Sequence, residues 1–243
     1  MIQRCWKSYL FGTNLRAEKM KKSFIIAIDG ASSTGKSTLA KGLAKELDFV
    51  YVDSGAMYRG ITLYAQQLGW LTTTHFDKEE LIAHLDDIQL TFANNILLLN
   101  GKDVSIEIRT MSVSNGVSQV ATISAVRAFL VAQQRTIGIK HNVVMDGRDI
   151  GTVVFPHADV KLFLTADANI RAQRRFDELK TVDPSATFDA ILENITQRDH
   201  LDSTRADSPL MQATDAIAIN ASDYGIRALQ KYVLKLVKKQ MGS

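Results

Sequence analysis

The chain has 243 residues, of which 46% are hydrophobic and 23% charged, enough to bury a core as one globular unit or two small ones. A formal net charge of +3 is too small to point to nucleic acid, and the single cysteine, Cys5, excludes an internal disulfide and a cysteine-built zinc site. With no apolar run near the ~20 residues of a membrane span, a reducing, cytoplasmic setting without a membrane partner is the simplest expectation.

Residues 1–22 carry Arg4, Lys7, Arg16, Lys19, Lys21 and Lys22 without a continuous apolar stretch. They read as a basic, poorly ordered extension ahead of a natural start at Met20, not as a secretory signal. Phe24–Asp29 is the first predicted strand, and Lys36–Leu47 follows as a helix with Leu39, Leu43 and Leu47 on one face. Tyr51 and Val52 form a short second strand. Ile88–Phe92 and Ile96–Leu99 flank the Asn94-Asn95 pair, whose chemistry tolerates positive φ, and predict a hairpin in an inserted lobe. Val143–Asp146, Lys161–Thr165 and Ala216–Asn220 supply three further strands. Asp223–Met241 closes the chain as a helix with Ile226, Leu229, Val233 and Leu236 at helical intervals and Lys238 and Lys239 in its last turn. Strands alternating with helices predict an α/β fold around a mainly parallel five-stranded sheet.

Gly30-Ala31-Ser32-Ser33-Thr34-Gly35-Lys36-Ser37-Thr38 matches GxxxxGK[ST] between an apolar strand and an amphipathic helix. Such a loop turns backbone N–H groups toward phosphate oxygens and adds the positive end of the helix. Lys36 is then placed for the β- and γ-phosphates and the Ser37 hydroxyl for Mg²⁺. The loop alone leaves GTPase, ATPase, kinase and passive nucleotide-binding module open. The guanine-specificity pattern NKxD is absent; Asn100-Gly101-Lys102-Asp103 has its letters in another arrangement.

A second anion site is expected after the second strand, where Ser54 reads as the N-cap of a helix and Arg59 follows just over one turn in. Asp146-Gly147-Arg148-Asp149 follows an apolar strand, so Asp146 stands where a Walker B acid reaches Mg²⁺ through water, and Arg148 offers a fork for phosphate. Arg171, Arg174 and Arg175 share a predicted helical face, a cluster that either binds an anion or is a solvated surface. Arg198, Asp202 and Arg205 share a stripe if their helix persists. An exposed Arg198–Asp202 ion pair is the plain alternative to arginines that close over a transferring phosphoryl group.

The segments IDGASSTGKST, VDSGAMYR, SNGVSQVA, VVMDGRDIGTVVFP and RDHLDSTR, in that order, resemble the bacterial cytidylate kinase family, a branch of the nucleoside monophosphate kinases. The resemblance implies a P-loop NTPase fold with an adenylate-kinase-like CORE, an NMP-binding insertion over about 60–135 and a LID over about 168–205, all within one kinase domain, 23–243. It implies ATP-dependent phosphorylation of CMP and dCMP by a monomer, with Ser54, Arg59, Arg148 and Arg205 on the acceptor phosphate. It further implies that Ser118, Arg127 and Asp149 read the cytosine edge, that Asp202 with Arg198 holds the ribose, and that Arg171, Arg174 and Arg175 belong to the LID. On their own, Ser118 is a plain polar residue and Arg127 a solvated helix charge. A kinase for AMP, UMP or shikimate, and a nucleotide-sensing module, are the rival readings.

Overall fold

A computed structural model describes residues 23–93, 96–180 and 186–242. The expected extension over 1–22 and the Asn94-Asn95 turn lie outside the described residues. Strand β1 (Ile25–Gly30) is buried along its whole length, as its unbroken Ile-Ile-Ala-Ile run requires of a central parallel strand. The loop after it leads into α1 (Lys36–Leu47), then β2 (Val50–Asp53) and α2 (Ser54–Gln67). The short helix α3 (Lys78–Ala83) precedes β3 (Leu90–Ala93), β4 (Ile96–Leu99) and β5 (Lys102–Asp103), an antiparallel sheet of three strands where the sequence predicted only a hairpin. Helices α4 (Met111–Val120) and α5 (Ser124–Lys140) return the chain to β6 (Val143–Gly147). Strand β7 (Val160–Thr165), α6 (Ala168–Leu179), α7 (Phe188–Thr204), β8 (Ile217–Asn220) and α8 (Ile226–Met241) complete it.

The five-stranded sheet runs β2-β6-β1-β7-β8 with every pairing parallel, as predicted. From β1 the chain crosses to the β2 edge; from β6 it crosses β1 to reach β7. The crevice beyond the C-terminal ends of β1 and β6 is therefore the place where open α/β sheets bind ligands. Alternation along the strands divides the core. Ile26, Ile28, Val144 and Leu162 pack with Leu39 and Leu43 of α1 and Val233 of α8. Ile25, Ala27, Val143 and Met145 face α2, α4 and α5, and Leu97 and Leu99 of the small sheet join that same cluster. Ala172, Leu179, Ile191 and Ile195 make a third, small cluster between α6 and α7.

The last helix begins at Ile226, three residues later than predicted, because Gly225 stands outside it as the N-cap. Its buried stripe is Leu229, Val233 and Val237 instead of the expected Ile226, Leu229, Val233 and Leu236; Ile226 is exposed.

Candidate active site

Two glycines shape the loop. Gly30 has φ 147°, and a Cβ there would lie 2.1 Å from the Leu164 carbonyl oxygen, so no side chain fits. Gly35, at φ 94°, is the N-cap of α1 and brings no side-chain cap, which leaves the helix's first N–H groups without a side-chain acceptor. Such an end attracts anions. Lys36 is buried and curls back: its Nζ donates to Ala31 O at 2.5 Å and to Thr34 Oγ1 at 3.3 Å. Burial, then repulsion from Arg148, lowers its pKa to about 7.

Asp146, at the end of β6, is the hub of the crevice floor. Its Oδ2 accepts from Ser37 Oγ at 2.8 Å, its Oδ1 from the Tyr51 hydroxyl at 2.9 Å, and its backbone oxygen from Ser54 Oγ at 2.7 Å. Burial, then the negative charge of Asp53, raises its pKa to about 6. The expected N-cap role of Ser54 is corrected: Asp53 caps α2, accepting from Ala56 N at 2.8 Å, and Ser54 is the first helical residue, free to reach Asp146. An aspartate is at least as good a cap, and it sits one residue earlier. Asp29, which the sequence reading passed over, accepts from the Ile150 and Gly151 N–H groups at 2.8 and 2.7 Å and so fixes the π-helical turn Ile150–Val154 after Asp149. Burial raises its pKa to about 6.

The arginines divide into held and available groups. Arg148 Nε donates to Asp202 Oδ2 at 2.8 Å, and Ser118 Oγ to Asp202 Oδ1 at 3.3 Å. Burial alone would raise Asp202, but Arg148, Arg198 and Arg205 hold its carboxyl below the usual range. The exposed Arg198–Asp202 pair, the plain alternative from the sequence, does not form; Asp202 pairs with Arg148 instead. Arg198 is left with a buried Nε that has no hydrogen-bond partner among the described residues, and burial with repulsion from Arg148 lowers its pKa to about 9. Arg205 follows the end of α7 as its C-cap, so the helical stripe stops one residue short of it. Its Nε donates to Ser208 O at 2.7 Å and its Nη2 lies 3.7 Å from Asp149 Oδ1.

Arg127 is not a solvated helix charge. It is 2% exposed, donates to Asp149 Oδ2, lies 3.5 Å from Asp207 and sits over the Tyr58 ring with 5.9 Å to its centre. Arg171, Arg174 and Arg175 do not share one solvent face either. Arg171 is buried and ties α6 to Asp199 of α7 at 2.7 Å and to Ser32 O at 3.3 Å, so its partner is a carboxylate of the protein. Arg174 reaches Thr34 O and Ala221 O, while Arg175 reaches Arg109 O and Glu178.

These groups border a cleft of about 570 Å³. Ser32–Thr38, Ser54, Arg59, Ser118, Asp146, Arg148, Asp149, Arg174, Arg175, Arg198, Asp202 and Arg205 all line it. Gly30, Ala31, Arg127 and Arg171 do not; they lie behind the lining and hold it. Arg109, Tyr58, Lys41 and Tyr224 line the cleft as well and were not anticipated. The adjacency of Arg109 to a helix start and of Lys41 to the loop's own helix were the available signals; nothing in the sequence marked Tyr224.

The Cytidylate kinase family profile matches residues 26–239. A cytidylate kinase of Flavobacterium psychrophilum is 52% identical over 222 residues, spanning 89% of this chain and 98% of the relative. One of Parabacteroides distasonis is 47% identical over 228 residues, spanning 91% and 100%. A crystal structure of an uncharacterized protein from Eubacterium ventriosum shares the fold at TM-score 0.50 and 13% identity, covering 90% of this chain and 99% of that one. A family match over residues 26–239, joined to identities near one half over nearly the whole chain, places it in the cytidylate kinase family.

Proposed function

We propose that the cleft transfers the γ-phosphoryl group of ATP directly to the phosphate of CMP, and of dCMP, giving ADP and the nucleoside diphosphate. The observation that carries the reading is a set of buried guanidinium nitrogens with no hydrogen-bond partner among the described residues, Arg59 Nε, Arg198 Nε and Arg205 Nη2, on side chains that line the same cleft as the phosphate loop. Buried donors without partners call for an acceptor from outside the chain. An acceptor phosphate is already ionised near neutral pH, so positioning and charge neutralisation suffice and no strong base is needed.

In this reading the loop 30–38 and Lys36 hold the triphosphate, with Arg174 and Arg175 on the migrating charge and Arg171 bracing α6. Ser54, Arg59, Arg148 and Arg205 hold the acceptor phosphate, Asp202 with Arg198 the ribose, and Ser118, Arg127 and Asp149 the cytosine edge. Ser37 Oγ and the Asp146 carboxylate are adjacent hard oxygen donors at 2.8 Å, a set that fits Mg²⁺. When bound, Mg²⁺ neutralises charge on the β- and γ-phosphate oxygens. No described helix is long and apolar enough to cross a membrane.

The test is a panel of acceptors at fixed ATP with ADP as the readout. CMP and dCMP are expected to lead, with UMP behind. Preference for AMP or a non-nucleotide acceptor overturns the base assignment, and no ADP with any acceptor favours a nucleotide-binding module.

A further inference from the structure

Tyr51 has no place in the mechanism so far, yet it makes a buried contact with the hub. Its side chain is 4% exposed, among Leu39, Leu43 and Val144 in the core under α1. In the parallel pairing of β2 with β6 it stands opposite Val144, two residues before Asp146, so its ring and the Asp146 side chain leave the same face of the sheet. The ring spans that diagonal, and its hydroxyl donates to Asp146 Oδ1 at 2.9 Å.

The other carboxylate oxygen accepts from Ser37 Oγ at 2.8 Å. With a donor on each oxygen, the Asp146 carboxylate cannot rotate without losing one bond. The Ser37 proton is thereby committed to Asp146, which leaves the serine's lone pairs for a cation. The phenol acts from behind, out of contact with any ligand in the cleft, and the chain of orientation runs from Tyr51 to Asp146 to Ser37.

We propose that Tyr51 is a positioning residue for the Mg²⁺-linked part of ATP binding, an inference that rests on reading this cleft as a site for ATP with Mg²⁺. Of the phosphate loop the contact reaches the Ser37 hydroxyl, the group that faces the metal, while Lys36 Nζ turns to Ala31 O and Thr34 Oγ1, so Tyr51 sets how much Mg²⁺ adds to ATP affinity and leaves metal-free ATP affinity nearly alone.

The test compares ATP affinity by calorimetry, without acceptor, in excess Mg²⁺ and in EDTA, for the wild type, Tyr51→Phe and Tyr51→Met. Loss of a hydrogen bond to a charged group predicts a fall of about tenfold in the Mg²⁺-dependent gain for both variants. Metal-free affinity stays within about twofold, and KM for CMP does not move. Adding Tyr51→Phe to Asp146→Asn should change the Mg²⁺ gain no further, since the effect passes through that carboxylate. An unchanged gain in either folded variant overturns the proposal, as does an equal loss with and without Mg²⁺, which would mark a packing role. Tyr51→Met keeps the test open should the phenylalanine variant fail to fold. Because the readout needs no acceptor, it separates from any failure of the CMP assignment.

Discussion

Arg127 is the most informative position to perturb, since it is buried behind the cleft and touches two carboxylates. Removing one partner of a buried ion pair costs about 3–5 kcal/mol, because the other charge is left stranded. In Arg127→Met the stranded group is Asp149, and Arg205 Nη2 at 3.7 Å gives it partial relief, so the lower end, about 3 kcal/mol, is expected. For a chain of this size that is a fall of about 6–12 °C in Tm. Asp149→Asn in the same background removes the stranded charge and should return at least half of the loss, a coupling of about 1.5 kcal/mol or more. The double variant should be folded and yet blind to the base: losing hydrogen bonds to charged groups, at about 1.5–3 kcal/mol, cuts kcat/KM for CMP roughly 10–150-fold. Thermal melts of the two singles and the double, with CMP and UMP kinetics on the double, read both quantities. Single variants that each lose less than about 1 kcal/mol, or strictly additive effects, refute the pairing. Retained preference of the double variant for CMP over UMP refutes the base-reading role.

Lys36→Ala should lower turnover by about 10²–10³-fold while the melt is little changed, because removal of one charge-stabilising donor has that scale and the buried lysine carries a desolvation cost; near-normal turnover sinks the assignment. Gly30→Ala should lose more than about 4 kcal/mol, since its Cβ would meet backbone at 2.1 Å; a melt like the wild type's would show that the strand can shift. Asp29 has its pKa raised to about 6 by burial, so its folded state binds the proton more tightly than the unfolded chain does. Its contribution to stability is therefore full below about pH 4 and is lost as pH rises through about 6, a change of about 3 kcal/mol at 1.36 kcal/mol per unit. Urea titrations from pH 4 to 7 should show that slope in the wild type and a flatter one in Asp29→Asn; parallel profiles would remove Asp29 as its source.

The sheet was legible because its strands are continuous apolar runs, and the phosphate loop because its glycines are dictated by backbone geometry, as at Gly30 and Gly35. The cap of α2 was misplaced by one residue, since Asp53 and Ser54 are both good caps and only the tertiary bond from Ser54 to the Asp146 backbone decides between them. Helical spacing grouped Arg171, Arg174 and Arg175 correctly on α6 but could not say what they face; Asp199, distant in sequence, takes Arg171. Arg127 and Ser118 carried no local signal at all, for their burial depends on how α4, α5 and α7 meet. Asp29 was hidden by its own strand, a carboxylate at the end of an apolar run whose partners are backbone N–H groups more than a hundred residues away.

The division among the arginines follows from the cost of like charge in a buried place. Burial first, and then repulsion from Arg148, Arg59 and Arg175, lowers the pKa of Arg198. The chain supplies carboxylates to Arg148, Arg127 and Arg171, and those pairs fix the walls without any ligand. Among the described residues none accepts a hydrogen bond from Arg198 Nε. A fold that neutralised every arginine would have no field left for phosphate, and one that neutralised none would not hold its walls together. The site works between these limits. Asp202 is the point of balance: it accepts from Arg148 Nε at 2.8 Å and attracts Arg198 as well, so one carboxylate stands against two guanidinium groups.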